Sequence, residues 1–252
     1  MRTRSSAPLP RVAILAAFGA IAAAPLALAD QITLVSNHDS TLYEVPIGEA
    51  ANGAGAYMFV GTTNQGFSRR GLVSFNLAAI PAGATVTGAS LRLHLSRETG
   101  PTATFDLHRA LASWGEGPTD AGANGGGGVA AEPGDSTWNY RVYESLLWTN
   151  PGGDFSPTVT ASQTANSIAF YTWTSTQLAA DVQGWLTDPV SNFGWLLKDS
   201  TEAILHTAKR FDSHENSTAA NRPQLTVTYV IPAPGAAALA LCGGLMSLRR
   251  RR

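Results

Sequence analysis

Leucine takes every second position of Ala89-Ser90-Leu91-Arg92-Leu93-His94-Leu95, and Ser90, Arg92 and His94 take the positions between. An extended chain turns successive side chains to opposite faces, so this alternation predicts a strand with one dry face and one wet face. Phe105 and Leu107 alternate likewise with Thr104, Asp106 and His108, and Leu225, Val227 and Tyr229 alternate with Gln224, Thr226 and Thr228. Shorter runs predict strands at Ile32–Val35, Thr41–Val45, Tyr57–Val60, Gly71–Phe75, Ile168–Trp173, Gly194–Leu197 and Ala203–His206. Turn sequences such as Pro81-Ala82-Gly83 separate them. Many short, half-buried strands joined by turns predict an all-β fold, an antiparallel β-sandwich or jelly roll.

One stretch keeps a different period. Leu178, Val182 and Trp185 fall at i, i+4 and i+7, a helical stripe; Thr174 with Gln177 reads as a capping box before it, and Asp188-Pro189 ends it. The pattern predicts one short helix over Ser175–Leu186, closing an end of the sandwich with Trp185 in the core.

Both ends of the chain are greasy and basic. Arg2, Arg4 and Arg11 precede the apolar run Val12 to Ala24, and Ala27-Leu28-Ala29 is a small-x-small site before Asp30. Residues 1–29 therefore read as a signal peptide, cut between Ala29 and Asp30 by signal peptidase. At the other end Pro232-Ala233-Pro234-Gly235 leads into the apolar run Ala236 to Leu248, and the chain stops on Arg249-Arg250-Arg251-Arg252. Thirteen apolar residues as a helix reach roughly 20 Å, short of the ~30 Å hydrocarbon core, so only transient membrane contact is expected. Residues 231–252 resemble the PEP-CTERM class of bacterial sorting signals in the Pro-Ala-Pro-Gly version, with Ala233 where the name-giving motif has glutamate. That resemblance implies processing by a membrane exosortase and a destination at the cell surface or beyond.

Setting both ends aside changes the charge. Seven of the 17 basic residues lie in them, so Asp30–Val230 keeps 10 basic against 18 acidic residues, a net of −8. Such a surface repels phosphate backbones, which excludes nucleic acid as a partner. The sole cysteine, Cys242, lies in the tail. The body thus has no disulfide, thiolate metal site or cysteine nucleophile.

Several stretches share an order with a known family. Gly71-Leu72-Val73-Ser74-Phe75-Asn76-Leu77, Ile80-Pro81-Ala82-Gly83-Ala84-Thr85-Val86 and Gly88-Ala89-Ser90-Leu91-Arg92-Leu93 come first. Asp181-Val182-Gln183-Gly184-Trp185-Leu186, Asn192-Phe193-Gly194-Trp195-Leu196-Leu197-Lys198 and Arg222-Pro223-Gln224-Leu225-Thr226-Val227-Thr228-Tyr229 follow. Together they make residues 30–230 resemble the DNRLRE-domain family, with Asn76 where such domains usually carry aspartate. The resemblance implies a jelly-roll β-sandwich similar to the carbohydrate-binding modules of secreted and surface proteins.

The region Ser113 to Phe155 is the least strand-like and the natural place for a site. Trp114, Trp138 and Trp148 are candidates to stack on sugar rings; the structural alternative is that they pin a glycine-rich loop to the sandwich. Carboxylates offer hard oxygen ligands, and the candidates for a structural calcium ion are Asp39, Asp120, Asp135 and Asp154, with Asp212 and Glu215 before the last strand. His94 and His108 fall on outward strand faces and no His-Glu-x-x-His pair occurs, so zinc ligation is not expected of them. A Gly-x-Ser-x-Gly elbow is absent, and no spacing singles out Asp106 and Glu116 as a glycosidase pair. The expected protein is noncatalytic, exported, and holds surface or matrix polysaccharide. Two alternatives stay open: a purely architectural matrix or biofilm protein, and a small polysaccharide lyase or hydrolase.

Overall fold

A computed structural model describes residues 28–122 and 125–232. The signal segment before Leu28 and the tail from Ala233, with Pro234, Gly235, Cys242 and Arg249 to Arg252, lie outside the described residues. Among the described residues no helix is long and apolar enough to cross a membrane.

The chain is mostly β. In order come β1 (Ala29–Val35), β2 (His38–Tyr43), β3 (Ala50–Ala51), β4 (Tyr57–Thr62), β5 (Ser68–Ser74), β6 (Thr85–Arg97), β7 (Ala103–Ala110) and β8 (Val129–Ala130). Then follow β9 (Tyr140–Val142), β10 (Leu146–Leu147), β11 (Phe155–Ala165), β12 (Ala169–Thr174), the helix α1 (Thr176–Thr187), β13 (Trp195–Asp199), β14 (Lys209–Asp212) and β15 (Gln224–Val230). Eleven strands form one curled antiparallel sheet. In one half β6 pairs with β12 along one edge and with β15 and β14 along the other, β1 continuing from β15. In the other half β5 lies between β2 and β13, and β7 and β11 follow.

β4 belongs to both halves. Its residues 57–60 pair with β14, whereas Gly61 and Thr62 pair with β5. The turn between halves sits at Gly61, whose φ of +119° few L side chains adopt. A side chain there would also meet the backbone of Thr207 and Ala208 at 2.7 Å.

The curl lets both halves feed one core. Leu91, Leu93 and Leu95 of β6, Trp173 of β12 and Phe211 of β14 join Phe105 and Leu107 of β7 and Trp195 and Leu197 of β13 in a single cluster. The indole N–H of Trp173 donates to Phe105 O at 2.9 Å, and the Phe105 and Phe211 rings meet edge to face at 5.7 Å. Along β6 the buried Leu91, Leu93 and Leu95 alternate with half-buried Ser90, Arg92 and His94, as the period of a strand requires.

α1 covers this core with Leu178, Val182 and Trp185 buried, and Trp185 stands 4.5 Å from Trp195 between ring centres. Its cap differs from the expected one by a residue. Ser175 accepts from the N–H of Leu178 at 2.9 Å, whereas the Thr174 hydroxyl donates to Ala89 O and Gln177 donates to Asp181. Thr174 still lies in β12, so its side chain serves the sheet.

Two expectations fail in informative ways. Residues Ala203–His206 form turns rather than a strand, with Ile204 and Leu205 each 52 % exposed. The strand lies just after them, in β14, whose Lys-Arg-Phe-Asp sequence shows no apolar alternation. Lys209 is nonetheless 1 % exposed, donating to Pro101 O at 2.7 Å and to Glu98 at 3.1 Å, and Arg210 lies 3.8 Å from the Tyr57 ring centre. Partners on distant segments make these charges tolerable inside a sheet. The long strand β11 was also absent from the sequence pattern, because Ser-Pro-Thr-Val-Thr-Ala-Ser-Gln-Thr-Ala presents few apolar residues to read.

Candidate functional site

β2, β5 and β13 are buried on both faces. Their inward residues Val73, Trp195 and Leu197 enter the main core, and Leu42, Leu72 and Leu196 point the other way. That second apolar face needs a cover, and the 111–154 segment supplies it. Trp148 is 5 % exposed within this second cluster, and Ala112, Trp114, Trp138 and Phe155 pack against it. Trp148 donates its indole N–H to Thr137 O at 2.9 Å, so both its faces and its polar edge are committed to packing. Trp138 lies under the Arg70 guanidinium, 4.8 Å from its centre, while Arg70 grips Glu202 through two 2.8 Å bonds. Trp114 lines an open cleft.

The acidic candidates part company. Asp135 is fully buried and organises the loop, accepting from the Thr119 hydroxyl and from the N–H of Glu132 at 2.7 Å. Asp154 caps a turn by accepting from the N–H groups of Thr149 and Asn150, and Asp120 does the same for Gly122. Asp212 lies in β14 rather than in a loop, 2.6 Å from Nδ1 of His94. His94 stacks on Phe170 at 4.6 Å and is half-buried, and His108 is 6 % exposed beneath Phe155, so neither is the surface residue its strand position suggested. Asp106, on β7, accepts from Ser162, so it and Glu116 take separate partners.

Asp39 and Glu215 do come together, with Glu116, weighed in the sequence only as half of a glycosidase pair, and with His214. Asp39 is the second residue of β2, Glu116 sits in the covering loop, and His214-Glu215 follow β14. His214 Nδ1 lies 3.4 Å from Asp39 Oδ2 and 3.3 Å from Glu116 Oε1, while its Nε2 lies 2.8 Å from Glu215 Oε1. Backbone bonds fix the arrangement: the N–H of Asp39 donates to Glu116 Oε1, and the N–H of His214 donates to Asp39 Oδ2, both at 2.8 Å. Nδ1 of His214 and Oε2 of Glu215 are buried atoms without a hydrogen bond. His38 faces the other oxygen of Glu116 at 3.9 Å. The one available signal was the pair of dipeptides His38-Asp39 and His214-Glu215, each setting an imidazole beside a carboxylate.

The electrostatics follow from crowding. Burial lifts the Glu116 carboxyl to about 7, although the Asp39 N–H and His214 pull it down. Burial lowers His214, but the close carboxylates of Asp39 and Glu215 outweigh it and hold the imidazole protonated up to about 10. Burial raises Asp39, opposed by His214, and it lowers His38. A folded state that keeps a proton the unfolded chain has released is destabilised as pH rises. Glu116 therefore withdraws stability between about 4.5 and about 7, and the contribution of His214, full below 6.5, is lost as pH climbs through about 10. Asp39 adds to the first slope and His38 opposes it near its own range. In metal-free buffer, melting curves of Glu116→Gln are expected to show a flatter fall below pH 7 than the parent protein; an unchanged slope would refute this assignment.

Beside the cluster opens a cleft of about 270 Å³, where His38, Asn76, Ser113, Trp114 and Asn192 converge. Trp114 is anchored by its N–H to Phe193 O at 2.8 Å, and the His38 and Trp114 rings stand 6.4 Å apart, nearly perpendicular. Asn192 donates its amide to Phe75 O at 3.0 Å, and its buried Oδ1 has no protein partner. No family model matches this chain, and no curated protein matches it.

Proposed function

We propose that residues 30–230 form an exported, noncatalytic β-sandwich of the jelly-roll kind that binds polysaccharide of the cell surface or matrix. Signal peptidase and an exosortase-type enzyme would remove the two ends on the way. The curled sheet with both halves on one core supports the fold reading, and the −8 charge of the body argues against a polyanionic nucleic acid ligand. The observation that carries the function is the Trp114 cleft, in which an indole, two side-chain amides and a hydroxyl meet. That is the chemistry a sugar ring asks for: an aromatic surface for its C–H face and paired donors and acceptors for its hydroxyls.

One feature favours a second, hydrolytic reading: a carboxyl near neutral pKa beside a cleft is a general-acid candidate. Two-carboxylate hydrolysis needs both groups free to flank the bond. The Asp39 side chain is 2 % exposed, and both Asp39 and Glu116 turn toward His214. This geometry supports binding over turnover.

On a glycan array and a panel of soluble polysaccharides, the purified protein is expected to bind without releasing reducing or unsaturated sugar. Trp114→Ala should weaken that binding by about 10- to 100-fold, the ordinary cost of deleting an aromatic anchor of about 1.4–2.8 kcal/mol. Trp148→Ala should instead lower stability, with little specific effect on affinity. Binding that survives Trp114→Ala unchanged would refute the cleft as the site.

A further inference from the structure

Around His214 two donor separations match those of a metal site. Segments distant in sequence bring Oδ2 of Asp39 and Oε1 of Glu116 up to Nδ1 of His214, and donor atoms of Asp39, His214 and Glu215 all lie within 4.8 Å of one another. The two N···O separations are 3.4 and 3.3 Å. Ligands bound at about 2.1 Å in a tetrahedron stand about 3.4 Å apart along each edge. Hydrogen-bonded ion pairs sit closer, nearer 2.8 Å, and Nδ1 makes no hydrogen bond to either oxygen although the atom is buried. The other ring nitrogen is already engaged, 2.8 Å from Glu215 Oε1. A carboxylate on the far nitrogen holds the proton at Nε2, so a cation arriving at Nδ1 displaces only the proton there, as in carboxylate–histidine–metal triads. His38 stands 3.9 Å from the second oxygen of Glu116 and so flanks the same carboxylate from outside.

We infer that Asp39, Glu116 and His214 form a binding site for a divalent cation of the borderline class, zinc foremost, with Glu215 positioning the imidazole. The donor set decides the class. Calcium takes six to eight oxygens in a roomy shell, whereas an imidazole with two carboxylates suits a small ion of low coordination number. The ion would tie β2, the covering loop and the segment after β14 together at the edge of the Trp114 cleft. This inference is independent of the saccharide reading, because the probe is metal alone.

The test is titration of the full chain, stripped with chelator, with Zn²⁺ by calorimetry and with Co²⁺ by visible absorption, in parallel with melting curves. The parent protein is expected to bind one zinc per chain, to give the intense d–d bands of low-coordinate cobalt, and to melt higher with zinc. Glu116→Gln, which keeps an oxygen for the Asp39 N–H, and His214→Asn should each weaken zinc about 100-fold or more, since even second-layer partners are worth about 10- to 100-fold. Glu215→Gln should fall within that smaller range. Circular dichroism shows whether each variant is folded, and Glu116→Gln together with the parent cobalt spectrum decides the matter if His214→Asn is not. Failure of the parent to take up zinc, zinc affinity untouched in folded Glu116→Gln, or preference for calcium over zinc would each overturn the inference.

Discussion

Replacing Asp181 by alanine is expected to lower the stability of the fold by about 4 kcal/mol, which for a body of this size is roughly 10 °C of melting temperature. Asp181 is 4 % exposed and ties the helix to both neighbouring strands: it accepts from the Trp195 indole of β13 at 3.0 Å and from the Thr160 hydroxyl of β11 at 2.7 Å. Gln177 of the same helix adds a third bond at 3.0 Å. Alanine strands two buried donors, each costing about 1–3 kcal/mol, and leaves a gap beneath Trp185 and Trp195. Trp195→Phe removes only one donor and should cost less. Thermal unfolding by circular dichroism reads both. A shift below about 2 °C for Asp181→Ala would mean the carboxylate is not the link described.

The second large effect concerns the corner at which the sheet changes halves. Gly61→Val should cost about 3 kcal/mol or more, combining left-handed backbone strain of about 1–3 kcal/mol with overpacking of similar size. The opposing backbone cannot withdraw cheaply. The N–H groups of Thr207 and Ala208 both donate to Thr62 O, at 2.9 and 3.1 Å, and the Thr207 hydroxyl accepts from the N–H of Thr62 at 2.9 Å. Gly61→Ala should fall between glycine and valine. Denaturant titration checks the order, and a valine variant as stable as the parent would show that β4 does not turn at this residue.

These two residues mark the limits of what periodicity reveals. Strands with one wet face, β6, β7 and β15, announce themselves because burial and alternation coincide. The helix does so through Leu178, Val182 and Trp185. β14 was invisible because its buried Lys209 is neutralised by Glu98, 111 residues earlier in the chain. The Trp-rich segment was legible as unusual, yet only the fold separates Trp148, which fills the second core, from Trp114, which lines a cleft. The acidic candidates were readable as residues, not as a constellation. Glu116 meets Asp39 across 77 residues and His214 meets it across 175, distances over which no local spacing rule operates. Asp135 shows the converse, since a fully buried carboxylate and a solvated loop carboxylate look alike in sequence.

Two-dimensional ¹H–¹⁵N spectra recorded while oligosaccharides from a bound polysaccharide are added test the proposed binding cleft most directly. The indole N–H of Trp114 and the side-chain amide of Asn192 should shift together and saturate, while the indole of Trp148 stays still. Shifts that spare Trp114 and Asn192, or no shift with any saccharide offered, would contradict the account.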